Sequence, residues 1–133
     1  MSKLLDISNE ITICKQVPTK QNLIRALELV KQGDKCLISA KSNDNSPQDI
    51  VVFLKLIKTV LMKYTYQRVF DTHQSLADIE KLFVKIVWSQ ASILKMGDKK
   101  MCGDLVSVAT QCAHFDKVLQ TKLRLLSKEL RGE

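Results

Sequence analysis

Cysteine and histidine are the residue types in this chain that could ligate a metal or act as nucleophiles. The chain has four cysteines and two histidines: Cys14, Cys36, Cys102, Cys112, His73 and His114. Cys102, Cys112 and His114 form the nearest set. On a continuous helix Cys112 and His114 point to nearly opposite sides, because successive residues rotate by about 100°. Zinc needs converging ligands, usually closely paired in sequence. We therefore expect no metal and no cofactor, with Cys112 as a buried thiol.

Catalytic motifs give no better support for an enzyme. Neither His73 nor His114 has a partner placed by a recognisable motif, and the acidic residues are scattered singly. Phosphate-binding glycine loops, dinucleotide-binding patterns and nucleophile elbows do not occur in the sequence. Cys14 and Cys36 could come close in space, but a disulfide between them cannot be argued from the sequence alone. We expect a non-enzymatic protein.

Trp88 is the first of two features that could bind a partner. On a helix predicted over 75–96, Trp88 and Val84 point away from the main apolar face and lie near three cations, Lys81, Lys85 and Lys95. An aromatic anchor with flanking apolar area and cations is typical of an interface hot spot. The alternative is that this helix is covered on both sides, which would make Trp88 a core residue.

The second feature is a basic stripe on the last predicted helix. Lys117, Arg124, Lys128 and Arg131 fall within a narrow arc opposite the leucine face. They could meet phosphates or an acidic peptide. They could equally form the solvated back of a helix, with cations near its carboxyl end favoured by the dipole. Aromatic residues do not alternate with these cations, so stacking on single-stranded bases has no support.

Composition sets the class of protein in which these features lie. The chain has 133 residues, 45% hydrophobic, with two prolines and four glycines, which favours one domain of long helices, either complete or part of a longer protein. The net charge of +7 is spread evenly along the sequence and favours acidic partners. The apolar runs are too short to span a membrane. Scattered cysteines and no recognisable signal peptide predict an intracellular setting, in cytoplasm or nucleus.

The stretch from Ser46 to Tyr64 is the expected centre of the fold. Ser46 can cap a helix, Pro47 suits the first helical position, and Asp49 suits the first turn. One face carries seven apolar residues: Ile50, Phe53, Leu54, Ile57, Val60, Leu61 and Tyr64. Further apolar residues cover most of the remaining circumference, so this helix should be enclosed by others.

The same periodicity predicts the flanking helices. We expect one helix over 4–16, a second over 20–32 capped by Thr19 and ended by Gly33, a loop over 41–45, a helix over 75–96 ended by Gly97, a loop over 97–103, and a last helix over 104–131. Tyr66, Val69 and Phe70 lie in a poorly patterned link.

These elements predict an all-α fold of four to five helices, arranged as a compact bundle or as stacked pairs around the central helix 47–64. The alternative is an α+β fold, in which 11–14 and 36–38 pair as a small amino-terminal hairpin.

One weak resemblance exists. The segment Glu10–Leu29, followed by F-L-K-L-I-K at Phe53–Lys58, resembles small helical adaptor domains of chromatin and transcription-elongation factors. The likeness spans about half the chain and rests on helix phasing and a few Leu, Ile and Lys positions. It implies recognition of short disordered motifs, and no family is assigned from it.

Three functions follow in order of preference. The first is an adaptor or scaffold domain that binds a protein or short peptide of acidic character beside Trp88. The second is nucleic-acid binding by the last helix. The third is a self-associating structural subunit that uses the leucine seam of that helix as a coiled coil. We expect a monomer or weak homo-oligomer that does not bind membranes.

Overall fold

The computed structural model describes residues 3–39, 45–67 and 74–132. Within these residues the chain forms seven α-helices, one 3-10 turn and no strand. The helices are α1 (Lys3–Gln16), α2 (Lys20–Ser39), α3 (Pro47–Gln67), α4 (Gln74–Ser89), α5 (Ala91–Met96), α6 (Lys99–Cys112) and α7 (Lys117–Arg131), with the 3-10 turn at Ala113–Phe115. The all-α prediction is confirmed, and none of the described helices is long and apolar enough to cross a bilayer.

The amino-terminal segments are helical throughout their described length. Both segments of the α+β alternative lie in helices, 11–14 in α1 and 36–38 in α2, so the hairpin is wrong. In α1 the apolar residues are three and four positions apart, so Leu4, Ile7 and Ile11 lie on one buried side of the helix. A strand alternates its side chains between two faces and could not bury all three on one side. Thr19 caps α2 as predicted, since its Oγ1 accepts the amide of Asn22 at 3.1 Å.

The predicted inner face of α3 is confirmed. All seven of its apolar residues are at most 5% exposed, and α3 contacts α1, α2, α4, α5 and α6. Ser46 accepts the amide of Asp49 at 3.1 Å, as expected of a cap. The helix is not enclosed all round, however, because Val52 and Met62 are 38% and 41% exposed.

Gly33 does not end the second helix. α2 continues to Ser39, and Gly33 is buried inside it. A Cβ atom at Gly33 would lie 2.2 Å from Cζ of the fully buried Phe53 ring. The glycine therefore allows the close approach of the Phe53 ring of α3 to the backbone of α2, rather than a turn.

The helix predicted over 75–96 is broken at Gln90 into α4 and α5. The hydroxyl of Ser89 donates to the carbonyl of Ile86 at 2.8 Å, and Gln90 has non-helical backbone angles. A serine side chain that binds the preceding turn competes with the helical hydrogen bonds. Gly97 ends α5, as expected.

The helix predicted over 104–131 is also broken, and it begins earlier. Asp98 caps α6, accepting the amide of Met101 at 2.8 Å, so most of the predicted 97–103 loop is helical. The 3-10 turn then reverses the chain, and Asp116 caps α7 by accepting the amide of Leu119 at 3.1 Å. The two unforeseen breaks explain why four to five helices were predicted where seven are described. The predictions for Val69, Phe70, His73 and the Tyr66 side chain lie outside the described residues.

We predict that Gly33→Ala lowers the free energy of unfolding, although alanine is the better helix former by about 1 kcal/mol. The added methyl group overlaps the Phe53 ring, and overpacking of this kind costs typically about 1–3 kcal/mol. Urea denaturation followed by circular dichroism measures the change. In a Phe53→Leu background the same substitution should cost less, and a Gly33→Ala protein more stable than the wild type would contradict the close approach.

Candidate interaction surface

Helix α4 presents Trp88 at the surface. Phe83, Ile86 and Val87 are fully buried and fix the orientation of the helix, while Trp88, directly after Val87, is 39% exposed. Trp88 is thus neither a core residue nor fully exposed. Val84, predicted to lie with Trp88 on the outer side, is fully buried. Neighbouring helices therefore cover a wider arc of α4 than its apolar periodicity predicted, and Val84 belongs to the core beneath Trp88.

The turn before α7 and the outer face of α7 extend this exposed area. Phe115, Val118 and Leu125 are 45%, 68% and 62% exposed. Val118 and Leu125 are seven residues apart, so they lie on one face of α7, with Lys122 between them. The Nζ atom of Lys122 lies 5.8 Å from the centroid of the Trp88 ring, which brings this face of α7 beside Trp88. We call Trp88, Phe115, Val118 and Leu125 the Trp88 surface.

Two ammonium groups cover the aromatic rings of the Trp88 surface. Lys122 lies over Trp88, and the Nζ atom of Lys81 lies 6.0 Å from the centroid of Phe115. Both distances are within the range of a cation–π contact, worth about 0.5–1 kcal/mol at an exposed site. Neither lysine forms an ion pair with a carboxylate in the described part of the chain.

The other two predicted lysines already have carboxylate partners. Lys85 lies 3.1 Å from Asp34 of α2, and Lys95 lies 3.6 Å from Glu129 of α7. Asp34 is largely covered, its side chain being 13% exposed. The structure therefore brings Lys81 to the Trp88 surface and adds Lys122, whereas Lys85 links α4 to α2 and Lys95 links α5 to α7.

Phe115 was missed as a surface residue for a definite reason. On the single helix predicted over 104–131, the apolar repeat puts Phe115 on the same inward face as Leu119 and Leu123. The break after Cys112 rotates Phe115 outward, where it is 45% exposed. Asp116 was the available signal, since aspartate followed by a helical pattern is a common amino-terminal cap.

The basic stripe is exposed along the side of α7 that faces the groove with α6. Arg124, Lys128 and Arg131 line an open groove between α6 and α7, and Lys117 lies on the same side near the start of α7. Arg131 also lies 3.3 Å from Asp104. Both side chains of this pair are more than 40% exposed, so it adds little stability.

Three of the cysteine thiols are less acidic in the fold than a free thiol. Burial raises the pKa of Cys14 and Cys102, and burial together with the negative charge of Glu80 raises the pKa of Cys112 to about 12. Nucleophilic cysteines show the reverse shift. All four cysteines are free, and no described His, Cys, Asp or Glu side chains form a group of three that could hold a metal.

Comparison with known proteins assigns the chain to no family. No family model matches the chain, and no curated protein and no solved structure is detectably similar to it.

Cys112 should resist alkylation in the folded protein. With a pKa of about 12, only about one thiol in ten thousand is ionised at pH 8, and the thiolate is the reactive form. Iodoacetamide treatment with peptide mass mapping should leave Cys112 unmodified in buffer and modify it in urea. Because the pKa is raised, this thiol stabilises the fold below about pH 9 and loses that effect as pH rises toward 12. Equal labelling rates in buffer and in urea would contradict the assignment.

Proposed function

We propose that this protein is a non-enzymatic helical interaction domain that binds an acidic segment of another protein on the Trp88 surface. The observation that carries the proposal is the pairing of two exposed aromatic rings, Trp88 and Phe115, with two ammonium groups that have no described carboxylate partner. Such a surface can accept an apolar side chain and a carboxylate side by side.

The apolar side chains of the Trp88 surface can supply binding energy. Aromatic side chains that are half covered and rigidly held are typical of hot spots, where truncation to alanine often costs about 2 kcal/mol or more. The buried residues beneath Trp88 hold its backbone in place, so little ordering is needed when a partner binds. Val118 and Leu125 enlarge the area that a partner can cover.

The charges favour an acidic partner. A carboxylate can approach Lys81 or Lys122 without displacing an existing ion pair in the described residues. Lys95 is held by an ion pair of which both side chains are about half exposed, so it can also be recruited at small cost. We therefore propose a short segment with an aromatic or aliphatic anchor flanked by Asp or Glu.

Self-association through a coiled coil of the last helix has weaker support. Four of its seam residues, Leu105, Leu123, Leu126 and Leu130, are buried within the chain itself. Pairing two copies through that seam would require α6 and α7 to separate. Self-association through the Trp88 surface would appear as a concentration-dependent increase in mass, which sedimentation over a concentration series measures.

The test is selection of 12-residue random peptides on the full chain, followed by titration of the enriched peptides. We expect enriched sequences to combine acidic residues with an aromatic or aliphatic anchor. Trp88 is the one tryptophan of the chain, so its fluorescence should shift to the blue as a peptide covers it. Trp88→Ala should weaken binding about 30-fold, the equivalent of a 2 kcal/mol hot spot.

Two further variants make the test specific. The double variant Lys81→Glu, Lys122→Glu should weaken binding of the acidic peptides at least tenfold without the loss of an ion pair. Ile13→Ala is the matched control, since Ile13 is an exposed apolar residue on α1, 66% exposed. Circular dichroism checks the fold of each variant. Enriched peptides without acidic residues, or equal binding to the Trp88→Ala and Ile13→Ala proteins, would refute the proposal.

A further inference from the structure

Three open grooves on the α3, α6 and α7 side of the molecule are lined by cations. The first, between α6 and α7, contains Arg124, Lys128 and Arg131, among serine, threonine and glutamine side chains. These hydroxyl and amide groups are neutral hydrogen-bond partners. The groove therefore offers charge together with polar groups that can also contact phosphate oxygens.

The other two grooves continue from the first. The second lies at the start of α6 and contains Lys99, Lys100 and Arg131. The third lies between α3 and α6 and contains Lys55, Lys58 and Lys100. Because Arg131 lines the first and second grooves and Lys100 the second and third, the three form one continuous path.

We call the seven cations of this path the basic strip: Lys55, Lys58, Lys99, Lys100, Arg124, Lys128 and Arg131. The path also contains two carboxylates, Asp98 and Asp104, so it carries an excess of five positive charges, against +7 for the whole chain. Both carboxylates already serve the fold: Asp98 caps α6 and Asp104 pairs with Arg131. Folding has thus concentrated on one side a charge that is evenly spread along the sequence.

This concentration of charge works against the stability of the helices that carry it. Lys99 and Lys100 occupy the first turn of α6, where the helix dipole disfavours cations. Lys55 and Lys58 are three residues apart on α3 and repel each other. A polyanion lying along the strip would reduce both unfavourable interactions. If these cations only formed a solvated helix surface, their unfavourable placement would have no explanation.

We propose that the basic strip binds the phosphate backbone of double-stranded nucleic acid without reading its bases. From Arg124 to Arg131 the helix rises about 10 Å, the length of duplex axis over which one strand places about three phosphates. None of the described residues that line the three grooves is aromatic, so the strip lacks the stacking platform that single strands use. The basic strip shares no residue with the Trp88 surface.

The test measures binding of the full chain to a fluorescent 20-base-pair DNA duplex between 20 and 200 mM salt. The strip variant carries Lys55→Glu, Lys100→Glu and Lys128→Glu, one change on each helix. The control carries Lys20→Glu, Lys31→Glu and Lys35→Glu, three exposed positions on α2 with the same change in net charge. We expect the strip variant to bind at least tenfold more weakly, with a salt dependence shallower by roughly three phosphate contacts. The control should stay within about twofold of the wild type.

Further measurements distinguish binding of the duplex from binding of other ligands. Two duplexes of unrelated sequence should bind equally, and Trp88→Ala should bind the duplex like the wild type. No duplex binding at 20 mM salt, or equal losses in the strip and control variants, would overturn the proposal. Binding to phosphatidylserine vesicles without binding to the duplex would overturn it in favour of an anionic membrane surface. Loss of duplex binding in Trp88→Ala would overturn it by moving the ligand to the Trp88 surface.

Discussion

The packing of the Phe53 ring of α3 against Gly33 of α2 is the constraint on which the placement of the functional surfaces depends. The Phe53 ring occupies the space where any other residue at position 33 would place its Cβ atom. The next residue, Asp34, is thereby set beside α4, where it accepts the ammonium of Lys85 at 3.1 Å. Helix α2 packs in turn against α4, so the contact at Gly33 joins the apolar centre of the fold to the helix that carries Trp88. The ion pair between Asp34 and Lys85 adds a second link between the same two helices.

The inward faces of the helices could be predicted from the sequence, because burial follows periodicity directly. The seven predicted positions on α3 are all buried. On α4, the apolar residues Leu76, Ile79 and Phe83 at helical spacing are buried as well. The helix ends could not be predicted as well. Gly33 and Gly103 suggested loop ends but lie inside helices, where Phe53 and the Arg131 side chain pass close to them. A glycine at a helix crossing looks the same in a sequence as a glycine at a helix end, since both positions need the absence of a side chain.

The candidate surfaces depended on those helix ends, which is why only parts of them were predicted. Trp88 and the cations of α7 were found because they project from helices whose phase was correct. Phe115 and Lys122 were not recognised, because a continuous last helix would have placed Phe115 in the core. Only the α7 part of the basic strip was predicted, for a related reason. The other members lie on α3 and α6, and only the packing of α6 against α3 and α7 brings Lys55, Lys100 and Arg131 onto one path.

The break between α6 and α7 accounts for both surfaces at once. Without it, one straight helix would carry residue 131 about 40 Å from residue 104, whereas the reversal at the 3-10 turn brings Arg131 within 3.3 Å of Asp104. The same reversal turns Phe115 outward and sets Lys122 over Trp88. Asp116 makes the reversal specific, because its carboxylate satisfies an amide at the new helix start that the break leaves without a partner. The two surfaces flank the buried leucine face of α7, so a helix that packs its inner face against the core can offer both of its remaining sides to ligands.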